Sequence, residues 1–292
     1  SEDQSRNYVK LLTDLGYPSD SISLYSYGYK EDGRGGRYYN YQGDIREIAQ
    51  GMEVIVNTLS DKHKAQGGDG KVDIVAHSLG NLVTRQYLLT HKDNHKIRRY
   101  VGVGAPFKGA WVMGVDKSLY SLPLVGKLAE KAVANLFLRR LNEERGGFQP
   151  LDKSSKAYEQ VTPSSDFLEG VSGVNKTYIT NVQFYAIYGN LQATLRQRIF
   201  TKTFQKTIDV GDGLILSDSA SYSGWVDNSK KFAYNDGTLL DLKFDRSNGA
   251  LAAEFVASNP KSIRTLHSDL LSRQDSQGKI LCLLSKENAD EC

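Results

Sequence analysis

Ser78 is the residue with the clearest potential for chemistry, because it lies between small residues where a buried strand is expected to end. It belongs to KVDIVAHSLGNLV (71–83), in which residues 72–75 are mostly apolar and the apolar residues of 79–88 recur at helical spacing. A strand, a sharp turn and a helix, with small residues two positions before and after the serine, are typical of a nucleophile elbow. The alternative is an ordinary strand-to-helix turn that contains a serine.

A serine hydroxyl becomes a good nucleophile only when an imidazole takes its proton. The sequence has five histidines. His77 adjoins the serine and is expected to point away from it, while His63, His91 and His95 lie in Lys-rich polar stretches typical of exposed loops. His267 lies in a loop after the last strands, where the base belongs if the order along the chain is Ser, acid, His. A surface histidine that caps a helix is the alternative interpretation of His267.

An acid that orients such a histidine should lie between the serine and His267, at the end of a strand. Asp212 in VGDGLILSDSA (210–220) fits, because its flanking glycines allow a tight turn that aims the carboxylate into a site. Asp209 and Asp218 are rivals in the same segment. A structural Asx-turn is the alternative role for Asp212.

Composition and charge exclude several classes of protein. The chain has 292 residues and a net charge of +3, with basic and acidic residues interspersed, which argues against nucleic acid as a partner. The length suits one large α/β domain, although it would also permit two. The glycine-rich stretches lack the strand and helix spacing of a phosphate site, and no metal cluster is visible, so no cofactor or metal is expected.

The location of the protein is predicted from its ends and its cysteines. No apolar stretch approaches the roughly 20 residues that span a bilayer, and the N-terminus has no signal-peptide region, so we expect a soluble chain from which any targeting segment is gone. Cys282 and Cys292 are spaced for one disulfide, as in a secreted protein, although two free thiols would also fit. Asn175 begins a glycosylation sequon, a short motif that also arises by chance.

Strands and helices alternate over much of the sequence, which predicts a parallel sheet with helices on both faces. The expected elements are a helix at 5–15, a strand at 21–29, a helix at 44–59 capped by Asp44, a strand at 72–76, a helix at 80–90, and strands at 97–106 and 181–189. Residues 221–250, rich in Asp, Asn, Gly and Ser, are expected to form a surface excursion.

The alternation breaks at residues 108–180, which we interpret as a cap inserted into a core of residues 1–107 and 181–292. Within it, LVGKLAEKAVANLFLRRLNEER (124–145) has an apolar stripe at helical spacing. We predict that the stripe binds substrate through Val125, Leu128 and Leu136. A helix that packs on the domain core is the alternative.

Four segments in this order, IVAHSLGNLV, YVGVGAPFKGA, GDGLILSDSA and LHSDLLS, resemble the α/β-hydrolase superfamily. The resemblance is greatest to lipases with an Ala-x-Ser-x-Gly elbow and to lecithin:cholesterol acyltransferase-like enzymes; VTPSSDFLEGV (161–171) also resembles a segment of such esterases. It implies Ser78 as nucleophile, Asp212 as orienting acid, His267 as base, and the backbone N–H of Leu79 as an oxyanion donor.

The sequence departs from this family at its start. Such enzymes carry, before the first helix, a central strand that ends in a His-Gly loop and donates the second oxyanion N–H. Loss of one such donor costs about 10²–10³ in rate. We therefore expect that the N-terminal strand and the oxyanion loop are missing because the sequence is a piece of a longer protein, rather than an enzyme that works without them.

The function that these features predict is hydrolysis of carboxylic esters, with lipid esters as substrates because of the apolar cap helix. Transient contact with a lipid surface and secretion are part of this prediction. Two alternatives remain open: an acyltransferase of the same fold, in which an alcohol replaces water, and a non-catalytic relative that binds lipid or a protein.

Overall fold

The structure is a computed structural model, and it describes residues 2–14, 16–25, 27, 30–31, 37–38, 40–110, 132, 135–136, 139, 151–172, 179–199, 201–235, 238–245, 250–255, 266–286 and 289–292. Its α-helices are α1 (Glu2–Asp14), α2 (Ile45–Ala65), α3 (Leu79–His91), α4 (Lys156–Val161), α5 (Asp166–Ser172), α6 (Ser217–Ala220) and α7 (Gln274–Ser285). Its strands are β1 (Lys30–Glu31), β2 (Arg37–Tyr38), β3 (Val72–His77), β4 (Ile97–Val103), β5 (Ile179–Gly189), β6 (Leu191–Ile199), β7 (Lys202–Gly211), β8 (Val226–Tyr234), β9 (Thr238–Asp245) and β10 (Ala250–Phe255).

The main sheet has the order β3-β4-β5-β8, and all of its neighbouring strands are parallel. His77 at the end of β3 is in register with Val103 of β4, which is in register with Ile187 of β5. The carboxyl ends of these strands therefore lie along one edge of the sheet. Ser78 lies at this edge, because it directly follows the last residue of β3. Over the described residues, β3 forms one lateral edge of this sheet and β8 the other.

Helices cover both faces of the main sheet, because successive side chains of its buried strands point to opposite faces. Tyr100 of β4 and Phe184 of β5 belong to a core with the apolar residues of α2 and α3. Val101 belongs to a second core, which contains Tyr8 of α1 and Ile280 of α7. The prediction of an α/β fold with a mostly parallel sheet flanked by helices is confirmed.

A second sheet, with the order β10-β9-β6-β7, follows β5 in the chain. Its strands β6 and β7 form an antiparallel hairpin in which Leu191 pairs with Gly211. Since Leu191 comes two residues after β5 ends at Gly189, the hairpin returns the chain to the carboxyl end of β5. This return places Asp212 at the same edge of the main sheet as Ser78.

Two expectations of secondary structure are wrong. Residues 22–25 and 27 pair with no strand of the described chain, although a strand was expected at 21–29. Tyr25 and Tyr27 instead pack on the α2–α3 core, and the Tyr25 hydroxyl donates to the carbonyl of Ile48, so side-chain burial holds this segment.

The second difference concerns the expected surface excursion at 221–250, where residues 226–234 form β8 of the main sheet. The polar residues that indicated a loop here are part of β8, which lies at an edge of the main sheet. Lys230 and Lys231 are partly or fully exposed there, as is common on edge strands, where charge discourages pairing with other chains.

The segment interpreted as a cap is described in part. Residues 111–131 and 140–150 lie outside the described residues, whereas residues 132, 135, 136 and 139 are helical. In α4 and α5, Val161, Phe167, Leu168 and Val171 pack in the core that contains α2 and α3. The division into a core and a cap at 108–180 stays a prediction.

Two further features concern the cysteines and the length of the helices. Cys282 and Cys292 form a disulfide with a Cα–Cα distance of 5.7 Å, which resolves the choice between a bond and two thiols. Among the helices that the structure describes, none combines the length and the apolar character needed to cross a bilayer.

Candidate active site

Ser78 occupies a turn of strained geometry between β3 and α3. Its φ is 52° and its ψ is −127°, a conformation that residues with a Cβ rarely adopt and that costs about 1–3 kcal/mol. Ser78 is also the N-cap of α3, yet its side chain makes no capping hydrogen bond. A serine at this position normally caps the helix with its hydroxyl, so here the hydroxyl is left for another partner.

A buried polar network holds this turn from below. The N–H of Ser78 donates to the carbonyl of Val103, at 3.0 Å. The Asn81 side-chain amide donates to the carbonyls of Ser78 and Val103, each at 3.0 Å. The Tyr100 hydroxyl donates in turn to Asn81 Oδ1, at 2.7 Å. Asn81 is fully buried, and its role could not be predicted from the sequence, because the pattern around the elbow carries no signal for its partners.

Asp212 lies in a tight loop directly after β7. Gly211 and Gly213 adopt left-handed φ angles of 60° and 85°, and a Cβ on Gly211 would lie 1.8 Å from the carbonyl oxygen of Ile215. The loop therefore requires glycine before the acid. Asp212 Oδ1 accepts from the N–H groups of Leu214, at 3.0 Å, and Ile215, at 2.8 Å.

The second carboxylate oxygen of Asp212 contacts His267. The distance from His267 Nδ1 to Asp212 Oδ2 is 2.7 Å, and both side chains are buried. The His267 N–H also donates to the Asp212 carbonyl, at 2.8 Å. Since an ionised carboxylate only accepts, Nδ1 is the protonated nitrogen of this imidazole. Its Nε2 is buried and has no hydrogen-bond partner in the described part of the chain.

The three residues expected to form the site are thus only partly joined. The acid and the base are in contact, whereas Ser78 makes no hydrogen bond with His267 Nε2. Such catalytic hydrogen bonds are often long without a bound substrate and tighten in its presence. Ser78 nevertheless follows the carboxyl end of β3, and Asp212 follows the residue of β7 that pairs with Leu191, just after the carboxyl end of β5 in the same sheet as β3.

The rival acids have other partners. Asp209 Oδ1 accepts from the N–H of Gly211, at 2.7 Å, and from the hydroxyl of Ser217, at 2.9 Å, so it stabilises the loop that carries Asp212. Asp218 is exposed and forms an ion pair with Lys108, at 2.9 Å. Of the three candidates, Asp212 is the one that contacts His267.

Gly104 lies against the acid and the base. Its φ is 55°, and a Cβ at this position would lie 3.0 Å from each of Asp212 Oδ2, His267 Cε1 and His267 Nδ1. A side chain here would strain the backbone and would require the acid or the base to shift by a few tenths of an ångström. Gly104 is not among the predicted site residues, although a glycine at the end of a buried strand, before Ala105 and Pro106, is a signal for a close approach of two chain segments.

The other histidines differ from expectation in two ways. His95 is buried rather than exposed, and both of its ring nitrogens have partners. Its Nε2 lies 3.1 Å from the carbonyl oxygen of Thr180, and its Nδ1 accepts from the N–H of Ile97, at 2.8 Å. Burial lowers the pKa of His95. His63 and His91 belong to the last turns of α2 and α3 rather than to loops. That His77 points away from the serine stays a prediction, and its ring centroid lies 4.7 Å from that of His267.

The structure describes some of the remaining predicted site residues and not others. Leu79 is the first residue of α3, and N–H groups in the first turn of a helix have no acceptor within it, so this N–H is available to an oxyanion. Leu136 is buried, with 6% of its surface exposed. Val125 and Leu128 lie outside the described residues. The described residues contain no group of three or more His, Cys, Asp or Glu that could hold a metal ion.

Comparison with known proteins gives a family match over part of the chain. The family model of lecithin:cholesterol acyltransferase matches residues 36–120, which include the elbow and β4. No curated protein sequence matches the chain.

Several solved structures are similar to this one at low sequence identity. Aspergillus fumigatus lipase B is 13% identical with a TM-score of 0.42, and the match covers 88% of this chain and 48% of the lipase. Phospholipase PlaB from Legionella pneumophila is 10% identical with a TM-score of 0.44, covering 97% of this chain and 57% of the phospholipase. A thermophilic esterase is 19% identical with a TM-score of 0.35, covering 70% of this chain and 68% of the esterase. The chain thus spans about half the length of the first two.

The predicted resemblance is confirmed by the family match, together with the parallel sheet and the elbow turn. The chain is therefore similar to lecithin:cholesterol acyltransferase over residues 36–120, and its fold is α/β with a mostly parallel sheet flanked by helices.

Proposed function

We propose that this protein hydrolyses carboxylic esters through an acyl-enzyme on Ser78, with lipid esters as its substrates. The observation that carries the proposal is the buried pair of Asp212 and His267, in which Nδ1 is bonded to the acid and Nε2 is left without a partner. A buried polar atom without a partner is costly unless a substrate or a reacting group supplies one. The hydroxyl of Ser78, which does not cap its helix, is such a group.

The reaction follows from these atoms. Ser78 Oγ attacks the ester carbonyl carbon as its proton passes to His267 Nε2, and Asp212 stabilises the imidazolium that forms. The tetrahedral intermediate then breaks its bond to the alkoxy oxygen, which takes the proton from Nε2 and leaves as the alcohol. Water repeats the sequence on the acyl-enzyme and releases the carboxylic acid, which returns Ser78 and His267 to their starting states.

The developing negative charge needs a donor, and the helix N-terminus supplies one. The N–H of Leu79, in the first turn of α3, is assigned to the carbonyl oxygen of the substrate as it becomes an oxyanion. The positive end of the α3 dipole lies at the same place and favours that charge.

Lipid esters are proposed because of the apolar stripe that contains Val125, Leu128 and Leu136, whose side chains would line an acyl pocket. An acyl chain gains about 0.8 kcal/mol for each CH₂ that it buries. Secretion and transient contact with lipid surfaces are part of the same proposal. The disulfide between Cys282 and Cys292 supports an oxidising compartment.

The test is covalent labelling of the chain with a fluorophosphonate, followed by peptide mapping, together with hydrolysis of p-nitrophenyl esters. We expect one label on Ser78, and no label or turnover in the Ser78→Ala variant. Ester hydrolysis by Ser78→Ala would overturn the proposal. Absence of both labelling and hydrolysis in the wild-type protein would instead support a non-catalytic relative that binds lipid or a protein.

Acyl transfer is the second candidate, and the family match to lecithin:cholesterol acyltransferase favours it. In this reaction an alcohol rather than water attacks the acyl-enzyme, with its proton passing to His267 in the same way. The two are separated by the products formed from a phospholipid in vesicles that also contain a sterol. Free fatty acid as the dominant product supports hydrolysis, whereas a sterol ester as the dominant product supports transfer.

A further inference from the structure

His77 connects the elbow to the loop that carries the base. It is the last residue of β3 and directly precedes Ser78. Its Nε2 lies 3.0 Å from the backbone carbonyl oxygen of His267, and the two imidazole centroids are 4.7 Å apart with an interplanar angle of 33°. Because a carbonyl oxygen only accepts, Nε2 of His77 carries the proton and donates to it.

His267 is thereby held by two residues from different parts of the chain, Asp212 and His77. Its N–H and its Nδ1 both donate to Asp212, which fixes the base relative to the acid. Its carbonyl accepts from His77, which fixes the base relative to the turn that carries the nucleophile. This last contact, together with the packing of the two rings, joins the residue next to Ser78 to the residue whose Nε2 must take the proton of Ser78.

We propose that His77 is a positioning residue, which holds Nε2 of His267 in line with Oγ of Ser78. The proposal rests on the proposed serine chemistry and assigns to His77 no contact with substrate. Because a misplacement of about 1 Å in an active site can cost about 10²-fold in rate, one hydrogen bond at this point has a large effect on reactivity. The packed rings add a second restraint on the same imidazole.

Three variants separate this role from a general contribution to folding. His77→Asn shortens the side chain so that its amide no longer reaches the carbonyl of His267, whereas His77→Gln keeps a donor at about the position of Nε2. The matched control is His95→Asn, since His95 Nε2 also faces a backbone carbonyl, that of Thr180, at 3.1 Å. His95 precedes β4, at the end of the main sheet away from Ser78.

The measurements are the second-order rate of fluorophosphonate labelling at Ser78 and the downfield NMR signal of the proton between His267 Nδ1 and Asp212. We expect His77→Asn to label about ten- to a hundredfold more slowly and to broaden this signal. His77→Gln and His95→Asn should stay within about threefold of wild type and keep the signal. If His77→Asn does not fold, His77→Leu, which keeps the bulk of the ring, takes its place.

The outcomes distinguish this inference from the function on which it rests. Wild-type labelling with an unchanged rate in His77→Asn would overturn the positioning role and leave the proposed function intact. Equal slowing in His77→Gln and His77→Asn would also overturn it, because the donor would then not matter. A wild-type protein that does not label at all would overturn the function and the positioning role together.

Discussion

Asn81 lies beneath Ser78 and donates from its side-chain amide to the carbonyl oxygen of that serine, at 3.0 Å. The same amide donates to Val103, and the Tyr100 hydroxyl donates to Asn81 Oδ1. Asn81, Tyr100 and Val103 are buried, so the bonds among them satisfy polar groups that water does not reach. A strained φ at Ser78 persists because these bonds, together with the strand and the helix on either side, over-determine the turn.

The first prediction is that Ser78→Gly raises stability while it abolishes activity. Glycine adopts a φ of 52° without the cost that a Cβ imposes, so we expect a gain of about 1 kcal/mol in the free energy of unfolding. Ser78→Ala keeps the Cβ and should lose activity without that gain. Urea denaturation of the three proteins tests this, and equal stability of the glycine and alanine variants would show that the turn is not strained.

The second prediction concerns Asp212→Asn. The amide oxygen can still accept from Leu214 and Ile215, while its NH₂ faces His267 Nδ1 and forces the proton onto Nε2. A base protonated at Nε2 cannot take the proton of Ser78, so turnover should fall by about 10⁴ with little change in melting temperature.

The matched control for Asp212→Asn is Asp209→Asn, in the same loop. Asp209 accepts from Gly211 and Ser217 rather than from His267, so this variant should lower stability more than turnover per folded molecule. A larger loss of turnover in Asp209→Asn than in Asp212→Asn would show that the acid is wrongly assigned.

The third prediction is that Gly104→Ala lowers kcat about ten- to a hundredfold, because the new Cβ displaces the base. Gly67→Ala is the control, since Gly67 also has a left-handed φ, of 86°, and has no atom within 4 Å of a built Cβ. Both variants should lose stability from backbone strain. Ester turnover per folded molecule should fall only in Gly104→Ala, and an equal fall in both would trace the loss to strain alone.

Much of the site could be predicted from local patterns. A small residue, serine and glycine at fixed spacing specify a turn, and glycines on both sides of Asp212 specify another, because each requirement is met by neighbours in the sequence. The parallel sheet followed from the alternation of apolar strands and helices in the same way. His267 followed from the order of the three residues along the chain.

Contacts between distant residues could not be predicted. The roles of Asn81, Gly104 and His77 depend on partners that the fold brings from other elements, and nothing in their own surroundings in the sequence specifies those partners. The same reason explains why β8 resembled a loop, since a strand at a sheet edge is partly exposed and carries polar residues. The burial of His95 likewise depends on a carbonyl from β5.

The fourth prediction concerns stability and pH at His95, whose pKa is lowered by burial. Because an unfolded chain has a histidine pKa of about 6.5, it binds more protons than the folded chain between that value and the lowered one. The free energy of unfolding contributed by His95 therefore rises with pH through this window and is lost as pH falls below about 6.5.

His95→Asn is neutral at every pH and keeps an acceptor for the N–H of Ile97. The difference in unfolding free energy between wild type and this variant should therefore decrease as the pH is lowered from 8 to about 5. Chemical denaturation at several pH values measures it. A difference that does not change with pH would show that His95 titrates alike in the folded and unfolded chains.

The last prediction tests the proposed acyl pocket with Leu136→Glu. If Leu136 and its stripe line the pocket, a buried charge there should lower turnover of long-chain esters far more than that of acetate esters, because each CH₂ of the acyl chain loses about 0.8 kcal/mol of burial. Asn135→Glu, an exposed position on the same helix, should leave the ratio of the two rates unchanged. The ratio is the measurement, since a partly unfolded variant lowers both rates equally. An unchanged ratio in Leu136→Glu, with a lowered melting temperature, would mean that this helix belongs to the core, and the proposed lipid substrate would lose its structural support.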